Sequence, residues 1–268
     1  MAEMVAEYMT HSGDDALVAN AARVSFAKET MLVDIDSAIP SFPKITEENR
    51  HKVEEFRKYV EPMLEAGHTE ALAYPDHRLI NFLAEEYHLL PFRHPHITLR
   101  CKVPLFVARQ MGKHQVGMTW SEESRRYIDS EPEFWWPEKW RKRAADKKQG
   151  STDEAVDTIY AGAGHSERTD SFTKYAWNVA IHTYKTLISC GVAPEMARMI
   201  LPQNMMVNWV WTGSLLSWFH LYDQRAGHGA QREAAEFAEL IKKEIAPLYP
   251  AAWAALEKNC RNFKIEEV

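Results

Sequence analysis

Only three cysteines occur in 268 residues, Cys101, Cys190 and Cys260, and none forms a CxxC pair or stands at a metal-ligand interval from histidine. That spacing excludes a disulfide framework and a zinc site of the usual kind. Long apolar runs are missing as well. Nothing approaches the roughly 18 consecutive apolar residues of a membrane span, and the opening MAEMVAEYMT lacks the basic flank and apolar core of a signal peptide. Positive charge is in deficit: 32 Lys and Arg stand against 38 Asp and Glu, a formal net charge of −6. A nucleic-acid backbone needs a broad basic face, and this chain has no surplus to build one. No fixed-period repeat is present. These absences predict a cytosolic protein that binds neither nucleic acid nor membrane and holds no metal.

What the chain does hold is apolar mass and one dense polar stretch. An apolar fraction of 46% over 268 residues is enough to bury a sizeable core. Residues 104–127, PLFVARQMGKHQVGMTWSEESRRY, open on Leu105, Phe106, Val107 and Ala108 behind Pro104, which suits the first turn of a helix. Arg109, Gln110, Lys113, His114, Gln115, Ser121, Glu122, Glu123, Ser124, Arg125, Arg126 and Tyr127 follow. Cations, amides and hydroxyls at that density fit a pocket for a flat, anionic, hydrogen-bonding ligand.

Around this stretch the periodicities predict an α+β fold, a central antiparallel sheet with flanking helices. Residues 4–9 read as a strand and 16–23 as a helix. Residues 34–47, with two prolines, read as a surface loop. A helix is predicted over 46–66, capped by Thr46 with Glu47 and Glu48 in its first turn, and another over 79–87. HLLPFRHPH, residues 88–96, is a turn whose prolines deny its three histidines the i, i+4 pairing of a helical metal site. Residues 96–103 alternate strictly, which places Ile97, Leu99, Cys101 and Val103 on the apolar face of a strand. The aromatic run EPEFWWPEKW, residues 131–140, reads as core or interface. Residues 138–170 are polar and read as an insert or lid, the least organised part of the chain. A long helix over 171–190 ends on Cys190 and Gly191, and a short one opens at Pro194. An apolar segment follows over 209–219, then a last helix over 231–245, with Cys260 in a polar tail.

At these residues the sequence resembles a known family, the flavin-dependent thymidylate synthases. That family carries a stretch of the form PxFVxRQxxRHRxxSxNExSxRY, to which PLFVARQMGKHQ with ESRRY is similar, in a form associated with phage-type members. ARVSF at residues 22–26, ARMILP at 197–202 and RAGHGAQRE at 225–233 are similar to its other elements, in the family's order. The resemblance implies methylation of dUMP to dTMP, with FAD as cofactor, methylenetetrahydrofolate as carbon donor and NADPH as reductant. It also implies a homotetramer with shared active sites, and the tryptophan-rich segment 209–219 is consistent with large interfaces. Arg225 is implied as the catalytic residue, polarising N3 and O4 of the uracil ring. Gln110, Lys113, Glu123, Ser124, Arg125, Arg126 and Arg198 are implied as nucleotide contacts. His88, Leu90, Lys113, His114, Gln115, Glu122, Ser214 and His220 are implied around the flavin.

The residue chemistry is consistent with those roles. A guanidinium stays protonated, so it cannot act as a base, but its planar fork matches a carbonyl and an adjacent ring nitrogen. No thiol stands in an electropositive setting that would activate it for addition to uracil, the route of the unrelated class of thymidylate synthase. The chain departs from the family pattern in places. The family's RHR is here Lys113, His114 and Gln115, so a bidentate fork becomes a point charge and one cation is missing. One extra residue between Gln115 and Ser124 makes a bulged loop there and leaves open whether Glu122 or Glu123 faces the ligand. His228 lies one residue before the family's histidine position. Two other readings remain: a flavin and folate hydroxymethylase of pyrimidine nucleotides, and a nucleotide-binding homologue without turnover.

Overall fold

β4 (His96–Pro104) is the strand around which the chain is arranged. Its alternation puts Ile97, Leu99, Cys101 and Val103 wholly out of solvent, while Thr98, Arg100 and Lys102 face the other side. A computed structural model describes residues 2–38, 44–128, 130–145, 150–162, 165–227 and 229–261. In it β1 (Val5–His11), β4, β10 (Met206–Ser214) and β5 (Met118–Glu122) form a four-stranded sheet in the order β1-β4-β10-β5. The pairings are antiparallel, with Trp209 opposite Cys101 and Trp211 opposite Leu99 on the helix-covered face. On the other face the hydroxyls of Thr98 and Thr212 meet at 2.9 Å.

β5 corrects the expected bulged loop between Gln115 and Ser124. Met118, Trp120 and Glu122 alternate along an edge strand, and Trp120 stacks on Trp209 with ring centroids 4.0 Å apart. Gly117 turns the chain into this strand at φ +70°, where a Cβ would also fall 2.4 Å from Ser217 Oγ. Only glycine meets both conditions without strain.

The remaining strands and helices follow in order. β2 (Val33–Asp34) pairs with β3 (Glu70–Ala71), and between them lie α2 (Ile35–Ala38) and α3 (Arg50–Glu65). α1 is Asp15–Arg23 and α4 Tyr74–Glu85; α5 is Leu105–Met111 and α6 Thr169–Ser189; α7 is Pro194–Ala197, α8 Leu215–Arg225, α9 Arg232–Ile245 and α10 Pro250–Asn259. Four short strands, β6 (Arg141–Arg143), β7 (Ser151–Ala155), β8 (Thr158–Gly162) and β9 (His165–Arg168), pair as two antiparallel hairpins. Among the described residues no helix is long and apolar enough to cross a membrane.

Several sequence expectations change here. The predicted loop at 34–47 contains a helical turn with Ile35 and Ala38 buried, while residues 39–43 lie outside the described set. α3 starts at Arg50, not 46, because the Asn49 side chain accepts from the Thr46 amide and closes a turn that holds Glu47 and Glu48 outside the helix. α4 begins five residues before Leu79, at Tyr74, with Pro75 in its first turn. Residues 138–170, read as the least organised part, carry the two hairpins. Trp209, Trp211 and Trp218 are 0–2% exposed within a single chain, so they build its core and not an interface between copies.

The largest miss is the C-terminus. Cys260, assigned to a polar tail, is buried at the end of α10 with its thiol on the Ala84 carbonyl. α10 is held by a long-range cap: buried Asp15, in the first turn of α1, accepts from the amides of Ala251 and Ala252, each at 2.8 Å. Burial pushes the Asp15 carboxyl up to about 7, outweighing those two amide donors. Asp15→Ala would leave both amides unpaired in the interior, and chemical denaturation should register a loss of about 3 kcal/mol. Asp15→Asn keeps one acceptor and should lose less.

Candidate active site

α5 and β5 enclose a cavity of about 400 Å³. Leu105, Ala108, Arg109 and Gly112 recur at helical spacing on one face of α5. His114 and Gln115 follow from the turn, then Met118, Trp120 and Glu122 from alternate positions of β5, with Trp211 behind them on β10. The strand period puts Glu122 and not Glu123 on the cavity, its carboxylate accepting from Trp120 Nε1 at 3.1 Å. Glu123 points elsewhere, accepting from Asn208 Nδ2 at 3.3 Å. Arg109 belongs to the polar stretch read as a pocket but had no role of its own, and Trp120 and Trp211 were not assigned to the site from sequence; the period-two pattern in MTWSE was the available signal for Trp120.

Arg225 is the last residue of α8, and its guanidinium lies across the C-terminal end of α5. Nη2 donates to the Gln110 carbonyl at 3.0 Å and Nε donates to His114 Nε2 at 2.8 Å. A helix C-terminus presents unpaired carbonyls and partial negative charge, so a cation is favoured there. Because Arg225 only donates, His114 must offer a bare Nε2 and carry its proton on Nδ1. Burial, with the charge of Arg225 and nearby His220, lowers the His114 pKa to about 4. His220 is also depressed, by burial first and by Arg93 in part, against the opposing pull of Asp223.

These shifts have a sign. A histidine whose folded pKa is about 4 against an ordinary 6.5 is held neutral by the fold. Its contribution to stability is complete above pH 6.5 and is lost as the pH falls towards 4. His77, buried between Phe56 and Tyr59, acts in the same direction, its pKa lowered to about 4 by burial. Asp15, raised to about 7, opposes them by taking up its proton first in the folded state, but two histidines outweigh one carboxyl. Thermal midpoints measured from pH 7.5 down to 4.5 should therefore fall, and His114→Gln, which keeps an acceptor for Arg225, should flatten that slope.

The other sequence-assigned residues divide. Gln110 sits beside Arg225 and donates to Gln231 Oε1 at 2.6 Å, and Lys113 is exposed one turn further on. Ser124, Arg125 and Arg126 occupy the turn after β5, outside the cavity. There Arg125 donates to the Ser130 carbonyl, and Arg126 lies over the Tyr127 ring at 4.9 Å. Arg198 is exposed on the turn after α7, donating to the Glu195 carbonyl at 3.3 Å. His88 and Leu90 are exposed at the turn before β4 and do not line the cavity. Ser214 is 4% exposed and acts as the N-cap of α8, accepting from the Ser217 amide. His228 lies outside the described residues. Of the thiols, Cys101 is buried with its pKa pushed up, Cys260 is buried and pushed up by the same cause, and Cys190 is exposed.

The cavity offers an aromatic wall, a neutral imidazole, an amide, a carboxylate and a cation. That donor set, half apolar and half hydrogen-bonding, fits a flat heteroaromatic ring.

Comparison with known proteins agrees with the anchors in the sequence. Residues 5–251 match the family described as Thymidylate synthase complementing protein. A flavin-dependent thymidylate synthase of Thermus thermophilus is 34% identical over 184 residues, covering 69% of this chain and 64% of that protein. The chain thus spans just under two thirds of that relative's length. A flavin-dependent thymidylate synthase of Tropheryma whipplei is 33% identical over 202 residues, covering 72% of this chain and 81% of that one. In fold, the chain is similar to the UMP/dUMP methylase PolB from Streptomyces cacaoi, solved with 5-Br dUMP, at a TM-score of 0.70 and 22% identity over 98% of each chain. The family match runs through both segments that build the site, α5 to β5 and α8 to α9, and the chain belongs to the thymidylate synthase complementing protein family.

Proposed function

We propose that this chain is a flavin-dependent thymidylate synthase, methylating C5 of dUMP with FAD as cofactor, methylenetetrahydrofolate as carbon donor and NADPH as reductant. The observation that carries the reading is Arg225, pinned through Nε and Nη2 and left with Nη1 unpartnered among the described residues. A guanidinium braced in this way presents a fixed donor without reorganising when charge develops on its ligand, which is how an electrostatic contribution lowers a barrier. The two relatives named flavin-dependent thymidylate synthases support the flavin and the product.

In this reading His114, Gln115 and Glu122 border the isoalloxazine, with Trp120 and Trp211 as apolar wall. Reduced flavin bound there would supply hydride. Arg225 polarises the uracil edge, and Gln110 and Lys113 lie beside it for the nucleotide. Cys101 and Cys260 are buried and pushed towards the neutral form, and Cys190 does not line the cavity, so in this reading the reaction needs no cysteine nucleophile.

Ser124, Arg125, Arg126 and Arg198 complete the nucleotide site from other subunits of a homotetramer. Phe172, Tyr175 and Val179 on α6, with Met196 and Met199 beyond it, are 41–70% exposed in the single chain, an apolar face that subunit contact would cover. The test is spectroscopic. Purified protein mixed with FAD should show a flavin spectrum that NADPH bleaches, and adding dUMP with methylenetetrahydrofolate should restore it while forming dTMP. A folded protein that takes up no flavin would overturn the reading, and a product heavier than dTMP by one oxygen would identify hydroxymethylation instead.

A further inference from the structure

A second polar chain runs away from Arg225 and ends in a partly buried ion pair. Gln110 Nε2 donates to Gln231 Oε1 at 2.6 Å, Gln231 Nε2 donates to Glu233 Oε2 at 2.8 Å, and Arg141 Nη2 donates to Glu233 Oε1 at 2.7 Å. Gln231 is the N-cap residue of α9, Glu233 lies in its first turn at 4% exposure, and Arg141 comes from β6. Arg141 is itself fixed by Nε donating to Ser151 Oγ at 2.8 Å across the hairpin. Arg141, Ser151, Gln231 and Glu233 line a second cavity of about 590 Å³, which Phe106, one turn before Gln110 on α5, also lines.

The chain has a direction. A carboxylate only accepts, so Glu233 obliges the Gln231 amide to turn its NH₂ inward and its carbonyl towards Gln110. That carbonyl in turn obliges Gln110 to present its own NH₂. The carbonyl of Gln110 is then the end left over, and among the described residues no donor is placed on its Oε1. Reversing either amide would set oxygen against oxygen and lose the hydrogen bond, most expensively at the buried carboxylate of Glu233. A neutral chain of amides would have no such preference; the charge at its far end supplies it.

We propose that Arg141, Glu233 and Gln231 are positioning residues that lock Gln110 with its carbonyl towards the nucleotide, so that Gln110 selects a hydrogen-bond donor on the ligand. This rests on the nucleotide reading above, and within it makes Gln110 a discriminator and not a phosphate ligand, since a carbonyl oxygen is unsuited to an anion. On a pyrimidine deoxynucleotide the available donors are the ring N3–H, present in uracil and absent from cytosine, and the sugar 3′-hydroxyl. Rejection of a ligand lacking the donor follows when the bound ligand itself covers Oε1 and leaves it unpaired.

The test measures dissociation constants of the FAD-loaded protein for dUMP, dCMP and 2′,3′-dideoxyuridine monophosphate, in wild type and in Gln231→Leu and Glu233→Gln, with thermal midpoints confirming that each variant is folded. Wild type should bind dUMP at least tenfold more tightly than one of the two analogues. A dUMP to dCMP ratio that shrinks in the variants identifies N3–H as the donor recognised by Gln110, since the contact of Arg225 to O4 is common to all three proteins, and a dideoxy ratio that shrinks identifies the hydroxyl. Both variants should shrink that same ratio towards one, because their Gln110 amide can turn either way; a purely structural role would weaken all three ligands alike. Folded variants that keep the wild-type ratios would overturn the positioning role while leaving the proposed activity intact. Wild type that binds none of the three would overturn the activity and this inference together.

Discussion

Arg225→Lys should lower turnover by about 10² to 10³, the cost of removing one well-placed donor to developing charge, while the protein folds and keeps its flavin. Lysine preserves the charge but not the geometry. The guanidinium uses Nε for His114 and Nη2 for the Gln110 carbonyl, and its Nη1 has no partner among the described residues. An ammonium on a flexible stem has three donors at one point and cannot reach both protein partners and a ligand edge in a common plane. The loss should appear in kcat more than in KM for dUMP, because a contact that strengthens as charge develops contributes mainly to the transition state. Arg225 is half-buried at a helix end and lies outside the aromatic core, so its replacement should move the thermal midpoint little. Single-turnover oxidation of the reduced flavin, followed at its visible band with dUMP and folate present, isolates the step. Unchanged rates would remove Arg225 from catalysis.

The second large effect concerns the fold beneath the site. Trp218→Ala should cost about 4 kcal/mol, the range for truncating a buried tryptophan. Trp218 is wholly buried, its ring packs edge-on against Trp211 at 5.0 Å, and its Nε1 donates to the Ile97 carbonyl at 3.1 Å. Alanine leaves a cavity between α8 and the sheet and an unpaired carbonyl near the start of β4. Trp211 also backs the cavity, so the vacated space should loosen the wall formed with Trp120. Urea denaturation should show a lower midpoint with nearly the same slope, and flavin affinity should fall with it. A variant as stable as wild type would mean that α8 does not depend on this ring.

Local pattern was enough for much of this architecture. Strict alternation over residues 96–103 identified β4, and helical spacing over 171–190 identified α6 to within two residues. The same logic failed where the signal was shared between distant residues. α10 lacks a side-chain cap of its own, because its cap is Asp15, more than two hundred residues earlier. β5 looked like a loop because an edge strand of five residues pairs with β10 on one side only, and its partner is not visible in its own sequence. On α6 the apolar face was legible, but most of it stays exposed in the single chain, since periodicity tells which face is apolar and not what covers it.

By itself the amino-acid sequence determined the sheet's central strand, the helix-rich surroundings and the family anchors, one of which begins at Arg225. Which carboxylate of Glu122 and Glu123 lines the cavity, how His114 and the end of α5 grip Arg225, and how Arg141 reaches Gln110 through Glu233 and Gln231 were decided only by the tertiary structure. The physical reason is one of range. Backbone periodicity and burial preference are written in neighbouring residues, whereas the direction of a hydrogen bond depends on groups that folding brings together from α5, α8, α9 and a hairpin between them.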